Sequence, residues 1–471
     1  MTHDTASHPG FARELGHRSA DLTWADLPPE AVHWAKVGLI DTLGVTLAGS
    51  GEDAPRLAAQ GLDLANGPAL VLGGTRRVGA LDAALINGTA AHALDFDDCN
   101  NTMGGHPSVP VLPALLALAE ELGRSGTHTV SGRDFLLAYV AGFEVETKVA
   151  LAVNFHHYQK GWHPTATLGT FGAAAACAHL MGLDGERTAV ALALAASFAS
   201  GLKANFGTMT KPLHVGHCAR NGLYAARLAA GGFTANAATV FEHEQGFLDV
   251  FNGPGTYDTA RALVAWAAPL DIVRPGIAIK QYPCCGSTHP AIDSLLALVR
   301  EHRFTPDQVA RVQAWVHPRR LKHTNRPDPK GSLDAKFSLQ YVLSRAIVDG
   351  CVAIEHFEGE AHADPRVRAL LPKMEVAGYG EDRFPADNHF GGVARVTLTN
   401  GQVLEARVEQ PLGRTSDHPL PQDLLEKKFS LCAASVLTDE AVAGVAAEVA
   451  GLDQAAGLGT LLRHLSTLRR P

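Results

Sequence analysis

The 471-residue sequence is 46% apolar and 19% charged, which describes a folded globular chain with material for two domains. Its formal net charge of −8 offers no basic footprint for a nucleic-acid backbone, so nucleic acid is not an expected partner. The longest uncharged stretch, between Arg187 and Lys203, carries serines and glycine and is shorter than the roughly 20 apolar residues of a membrane span, so no membrane association is expected.

In chain order, the first residues, MTHDTASHPGFAREL, lack a charged segment followed by an apolar core and do not read as a signal peptide. From Pro29 to Gly49, Val32, Ala35, Leu39, Leu43 and Leu47 repeat at helical spacing and predict an amphipathic helix. Further helices are predicted over 80–94, 110–122, 131–152 with Ser131 as a cap, 164–182 and 184–201, so the first 270 residues read as almost wholly helical. In TATLGTFGAAAACAHLMG, Gly169, Gly172 and Ala176 at helical spacing let neighbouring backbones approach and predict a tightly packed bundle.

After Arg274-Pro275 the pattern changes. QVARVQAWVHP at 308–318 alternates in part, and GGVARVTLTNGQVLEARVEQ at 391–410 reads as two strands joined at Asn400-Gly401, where both turn residues must accept positive φ. Residues 271–411 are expected to form an α+β domain containing a helix at 333–350. From 412 to 471 the chain returns to helix and is expected to rejoin the first domain. The fold class expected is therefore mainly α, a large helical domain built from both chain ends with a smaller α+β domain inserted.

Three separated stretches concentrate proton-transfer residues: ALDFDDCNNTMGGHPS at 93–108, TMTKPLHVGHCAR at 208–220 and IKQYPCCGSTHPAID at 279–293. The first breaks its helix at Asn100, Asn101, Gly104, Gly105 and Pro107, leaving Asp95, Asp97, Asp98 and His106 on one loop. Taken singly, each is an ordinary solvated charge. Packed together and partly buried, like charges raise one another's proton affinity and prepare a carboxyl group for acid or base work. Lys211 and Lys280, each near a proline and expected on turns, suit an anionic substrate whose α-proton must move, although a Lys-Pro pair alone is commonly a surface turn. His163 precedes the alanine-rich helix, where free N–H groups favour an anion.

No metal or other cofactor is expected. There is no H-E-x-x-H, FEHEQGF at 241–247 lacks the second histidine, adjacent Cys284 and Cys285 diverge, and neither a Walker loop nor a dinucleotide fingerprint is present. Seven cysteines without a C-x-x-C pair fit reduced thiols and a cytoplasmic chain.

These stretches, with INGTAAHALDFDD at 86–98, GWHPTATLGTFGAAAA at 161–176, KPLHVGHCARNG at 211–222, KQYPCCGSTHPAID at 280–293 and DAKFSLQYVL at 334–343, resemble the MmgE/PrpD family across nearly the whole chain. The resemblance implies a cofactor-free enzyme acting on a small polycarboxylate: a lyase of the dehydratase or decarboxylase type, with an epimerase of an amino- or imino-dicarboxylate such as iminodisuccinate as the nearest rival and a non-catalytic polycarboxylate-binding protein as another. It also implies that the inserted domain is a lid, that substrate binds between lid and helical domain, and that the chain is a homodimer. By motif, Asp95, His106, Lys211 and Lys280 are the implied catalytic set, with Cys99, His163, Cys285 and His289 as substrate contacts. Cys99 stands where the decarboxylases commonly have threonine and Cys285 where they have histidine, and the D-F-D-D to H-P-S interval is one residue longer. These departures argue against decarboxylation of cis-aconitate. They leave Cys285 open as a general acid, a size-setting wall or an inert thiol.

Overall fold

Capping residues and prolines punctuate the chain into helices of modest length in the computed structural model, which describes residues 10–124, 126 and 129–469. In order these are α1 (Phe11–Asp21), α2 (Pro29–Gly49), α3 (Asp53–Gln60), β1 (Asn66–Leu70), β2 (Arg77–Val78), α4 (Ala80–Ala93), α5 (Ser108–Arg124), α6 (Gly132–Val153), α7 (His156–Lys160), α8 (Pro164–Thr167), α9 (Gly169–Leu180), α10 (Gly185–Phe198), α11 (Thr210–Ala230) and α12 (Thr259–Val264). There follow α13 (His289–His302), β3 (Val309–Val316), α14 (Pro318–Thr324), α15 (Ser332–Ala335), α16 (Leu339–Asp349), α17 (Pro365–Arg368), β4 (Met374–Gly378), β5 (Gly392–Leu398), β6 (Val403–Val408), α18 (Gln422–Ala433), α19 (Asp439–Ala450) and α20 (Gly459–Leu465). The reading of the first nine residues lies outside the described residues. Among the described residues no helix is long and apolar enough to cross a membrane.

The fold is mainly α, and the chain divides into two compact units, Met1–Ile279 with Gln422–Pro471, and Lys280–Pro421. Both edges fall later than the 271 and 411 expected. Residues 271–279 stay with the first unit because Asp271 is tied there: its carboxylate meets Lys148 Nζ at 2.8 Å and its N–H donates to Glu144 Oε2 at 2.7 Å.

In the first unit Ser131 Oγ caps α6 by accepting from the Asp134 N–H, while the Asp134 carboxylate accepts from the Ser131 N–H to complete a capping box. α6 and α9 meet where a Cβ on Gly142 would collide with the Gly172 carbonyl, so the small residues bring these backbones together as expected. Phe11, Val145, Phe171, Phe241 and Phe247 fill the core around them. One expectation fails here. α2 is not amphipathic in its second half, because residues 41–47 are buried on every side, Asp41, Thr42 and Thr46 included. The unit also holds a short β1–β2 ladder, a small exception within a segment read as almost wholly helical.

The second unit carries a sheet in the order β4-β3-β5-β6. β5 and β6 pair antiparallel across the expected Asn400-Gly401 turn, with Gly401 at φ 89°. β4 pairs parallel to β3, from Val312↔Met374 to Val316↔Gly378, and was not foreseen. α13 and α16 pack against this sheet around Ile292, Leu295, Val312, Tyr341 and Val396.

Candidate active site

The site loop begins where α4 stops. Asp95 takes φ 53°, a left-handed conformation that Asp tolerates better than most residues, and this turns the chain away from the helix axis. Asn100 then shapes a tight turn: its N–H donates to the Gly105 carbonyl at 2.9 Å, its side-chain oxygen accepts from Met103 N at 2.8 Å, and Gly104 supplies φ 63°. The loop is pinned from distant parts of the first unit. Cys99 and Ala278 exchange two backbone hydrogen bonds, His106 N donates to Thr165 Oγ1 at 3.1 Å, and Lys428 of α18 donates to the Phe96 carbonyl at 2.8 Å while pairing with Asp41 at 2.5 Å.

Three of the four implied catalytic residues come together. Lys211 Nζ lies 2.6 Å from Asp95 Oδ1, and His106 Nε2 lies 3.7 Å from the same oxygen. Lys211 is not on a turn: it sits in the first turn of α11, where the helix N-terminus adds positive potential to its ammonium. Lys280, the fourth, is buried and opens the second unit, two residues after the Ala278 that pairs with Cys99.

Behind His106 lies an arrangement that the motifs did not single out. Asp97, fully buried, receives His106 Nδ1 at 3.0 Å and His92 Nδ1 at 2.7 Å on one oxygen, Oδ2. Burial works to raise the pKa of Asp97, but the two imidazoles outweigh it and hold the carboxyl well below its usual range. Burial brings the pKa of His92 down to about 3, so that ring is neutral. With Nδ1 of His106 committed to Asp97, Nε2 is the nitrogen that faces Asp95 and Lys211 and is able to carry a proton there.

Asp98, the next residue, has the opposite character. Burial, then the nearby Asp41, push its pKa well up, and it meets the hydroxyl and N–H of Ser108 at the start of α5. Ser108 Oγ in turn lies 2.5 Å from Tyr139 Oη. The acid cluster thus divides into Asp97, whose proton affinity is held down, and Asp98, whose proton affinity is pushed up, each set by its own neighbours. None of the three acids is solvated; Asp95, the most exposed, is 6% accessible.

His163 caps α8, stacks on His92 with ring centroids 5.6 Å apart, and places Nδ1 3.3 Å from His214 Nδ1. Burial pushes its pKa well down, with His92 and Lys211 acting in the same sense, so it serves as a neutral hydrogen-bonding ring. Cys99 Sγ is 3.8 Å from His106 Nδ1. In the second unit, Cys285 N donates to the Lys336 carbonyl at 3.0 Å, and His289 starts α13 with Nε2 3.3 Å from the Cys284 carbonyl and its ring against Tyr282. The roles of His92 and Asp97 escaped the motif reading although both lie in INGTAAHALDFDD. The available signal was an imidazole in the last turn of a helix that runs directly into an acid cluster.

His92, Asp95, Asp97 and His106 each bring a potential ligand atom within 4.8 Å of the others. Those atoms are engaged inside the cluster, and the Lys211 ammonium stands on Asp95 at 2.6 Å, where it would repel a cation. The donor set is better suited to protons and to an anion.

Residues 13–260 match the model of the MmgE/PrpD N-terminal domain and residues 282–454 that of the MmgE/PrpD C-terminal domain. A human protein named cis-aconitate decarboxylase is 32% identical over 92% of this chain and 93% of its own. An Aspergillus terreus cis-aconitate decarboxylase is 28% identical over 98% and 97%. A mitochondrial 2-methylcitrate dehydratase of Yarrowia lipolytica is 24% identical over 85% and 79%.

Proposed function

The chain belongs to the MmgE/PrpD family, and from that premise we propose that it is a lyase of the dehydratase or decarboxylase type that acts on a small tricarboxylate with Asp95, His106 and Lys211. The observation that carries the reading is the meeting of the Lys211 ammonium, the Asp95 carboxylate and His106 Nε2, with Asp97 holding the far side of the imidazole.

In an elimination, the base takes the proton α to a carboxylate, the C–H pair becomes the double bond, the C–O bond at the β carbon breaks, and the acid protonates the departing hydroxyl as water. In a decarboxylation, the C–CO₂ pair passes into the carbon skeleton as carbon dioxide leaves, and the acid returns a proton to carbon. Either route builds negative charge beside a carboxylate. The Lys211 ammonium and the α11 N-terminus lower that cost, while His106 and Asp95 share the roles of donor and acceptor. Side chains alone perform these proton movements, so the proposal uses no cofactor.

Lys280 joins the proposal by its motif, as a second cation for the substrate's carboxylates, and Cys99, His163, Cys285 and His289 join as substrate contacts. The homodimer is part of the same reading and is checked by light scattering. The relatives' names put cis-aconitate and 2-methylcitrate first among candidate substrates, whereas Cys99 and Cys285 depart from the decarboxylase pattern.

The test is product formation from cis-aconitate, citrate, 2-methylcitrate and aspartate-derived acids, followed by NMR in deuterated water. Loss of water or carbon dioxide that disappears in His106→Ala supports the lyase. Deuterium entering recovered substrate with no group lost supports an epimerase, and ligand binding without any change in the ligand a binding protein; either result overturns the lyase reading.

A further inference from the structure

The second unit holds a concentration of positive charge built entirely from its own residues. The turn from Cys285 to Thr288 is braced internally, with Thr288 N and Thr288 Oγ1 both donating to the Cys285 carbonyl at 2.9 and 2.8 Å. Two guanidinium groups converge on it. Arg320, in the first turn of α14, is 9% exposed; its Nε donates to the His389 carbonyl at 2.7 Å and its Nη1 to Ser287 Oγ at 3.4 Å. His323 Nε2 lies 3.0 Å from the same hydroxyl. Arg414 Nη1 stands 3.5 Å from the place a Cβ on Gly286 would occupy, and both guanidinium carbons lie over the Phe390 ring, 5.1 and 4.9 Å from its centroid.

Among the described residues the hydrogen-bond partners of Arg320 are a carbonyl and a hydroxyl, neither of which neutralises its charge. Burial brings its pKa down to about 9, Arg414 adds to that effect, and Cys285 opposes it. Nearby His317 and His389 share a 3.2 Å contact, and burial takes His317 to about 4, so the His317 ring adds no positive charge. A buried guanidinium beside a second cation is costly unless an anion meets it, and two of the five Arg320 N–H donors are all that these bonds occupy.

We propose that Arg320, Ser287 and His323, with Arg414 beside them, form a carboxylate-binding subsite that takes one carboxylate of a di- or tricarboxylic acid. The identity of the acid rests on the polycarboxylate reading above, but the binding does not rest on the lyase chemistry.

Tricarballylate, a saturated tricarboxylate without a leaving group, is the probe, titrated calorimetrically into the full-length protein. Wild type binds it; Arg320→Met weakens binding by about 10–100-fold, the range for losing hydrogen bonds to a charged group. In turnover Arg320→Met raises KM while kcat holds, a split that a general loss of structure would not produce. Should Arg320→Met not fold, Ser287→Ala and His323→Gln carry the test, each with weaker binding expected. Wild-type affinity in every folded variant, or no binding by wild type, overturns the subsite. Arg320-dependent binding in a protein that transforms none of the candidate acids sinks the lyase and keeps the subsite. Turnover with KM unchanged in Arg320→Met does the reverse.

Discussion

Lys211 Nζ and Asp95 Oδ1 stand 2.6 Å apart across 116 residues of sequence, both nearly enclosed. Removing one partner of such a buried pair costs about 3–5 kcal/mol, because the other charge is left uncompensated. Lys211→Met is therefore expected to lose stability in urea unfolding and to lose turnover by about 10²–10⁴-fold. Adding Asp95→Asn to it restores part of the stability and none of the turnover. Equal stability in the single and double variants would show that the pair carries no charge coupling.

Asp97→Asn keeps the shape of the side chain and removes its charge. The amide still offers one oxygen to the two ring nitrogens that now meet Oδ2, but it carries no negative charge, so a protonated His106 loses the carboxylate that favours it. A folded variant with kcat lower by about 10²–10⁴-fold and an altered pH–rate profile is expected. An unchanged profile with a modest loss in kcat would reduce Asp97 to a packing role.

How much of this was legible follows from which physics is local. Caps and turns are local, so the Ser131 cap and the Asn400-Gly401 hairpin were read correctly. β4 was missed because Met374–Gly378 is a strand only through its parallel pairing with β3 about sixty residues earlier, which no turn chemistry announces. α2 was read as amphipathic because its apolar spacing is real, whereas the burial of Asp41 depends on Lys428 arriving from α18. The crowding of Asp95, Asp97, Asp98 and His106 was visible, but the different proton affinities of Asp97 and Asp98 were not. They depend on which side chains the fold aims at each carboxyl group.

His157, outside the candidate site, allows a pH test. It lies buried with Nε2 2.7 Å from Thr167 Oγ1, and burial lowers its pKa to about 3. The unfolded chain binds a proton there below about pH 6.5 and the folded chain does not. Its contribution to stability is thus complete above pH 6.5 and is lost as pH falls toward 3, at up to about 1.4 kcal/mol per pH unit. The stability gap between wild type and His157→Gln should shrink from pH 7 to pH 5 in urea titrations. A gap of constant size would mean that His157 takes up its proton in the folded protein.

Gly216 sets the crossing between the two helices that deliver Asp95 and Lys211. α4 ends at Ala93, two residues before Asp95, and α11 begins at Thr210, one residue before Lys211. Between them a Cβ on Gly88 would touch Gly216 Cα, and a Cβ on Gly216 would collide with the Leu85 carbonyl and with Thr89 Oγ1, which itself donates to Leu85 O at 2.8 Å. In an isolated helix, Gly→Ala is favourable by about 1 kcal/mol. Here the collision involves backbone, which does not yield as a flexible side chain would, and overpacking of about 1–3 kcal/mol outweighs that gain. Gly216→Ala is expected to be less stable than wild type and less active, since the helices must separate just where the Asp95–Lys211 distance is set. Gly231→Ala, at the end of α11 with φ −76° and no contact closer than 3.5 Å, should be close to neutral. Urea midpoints and kcat/KM for the two alanine variants decide the matter, and equal behaviour would remove the crossing as the element that aligns the pair.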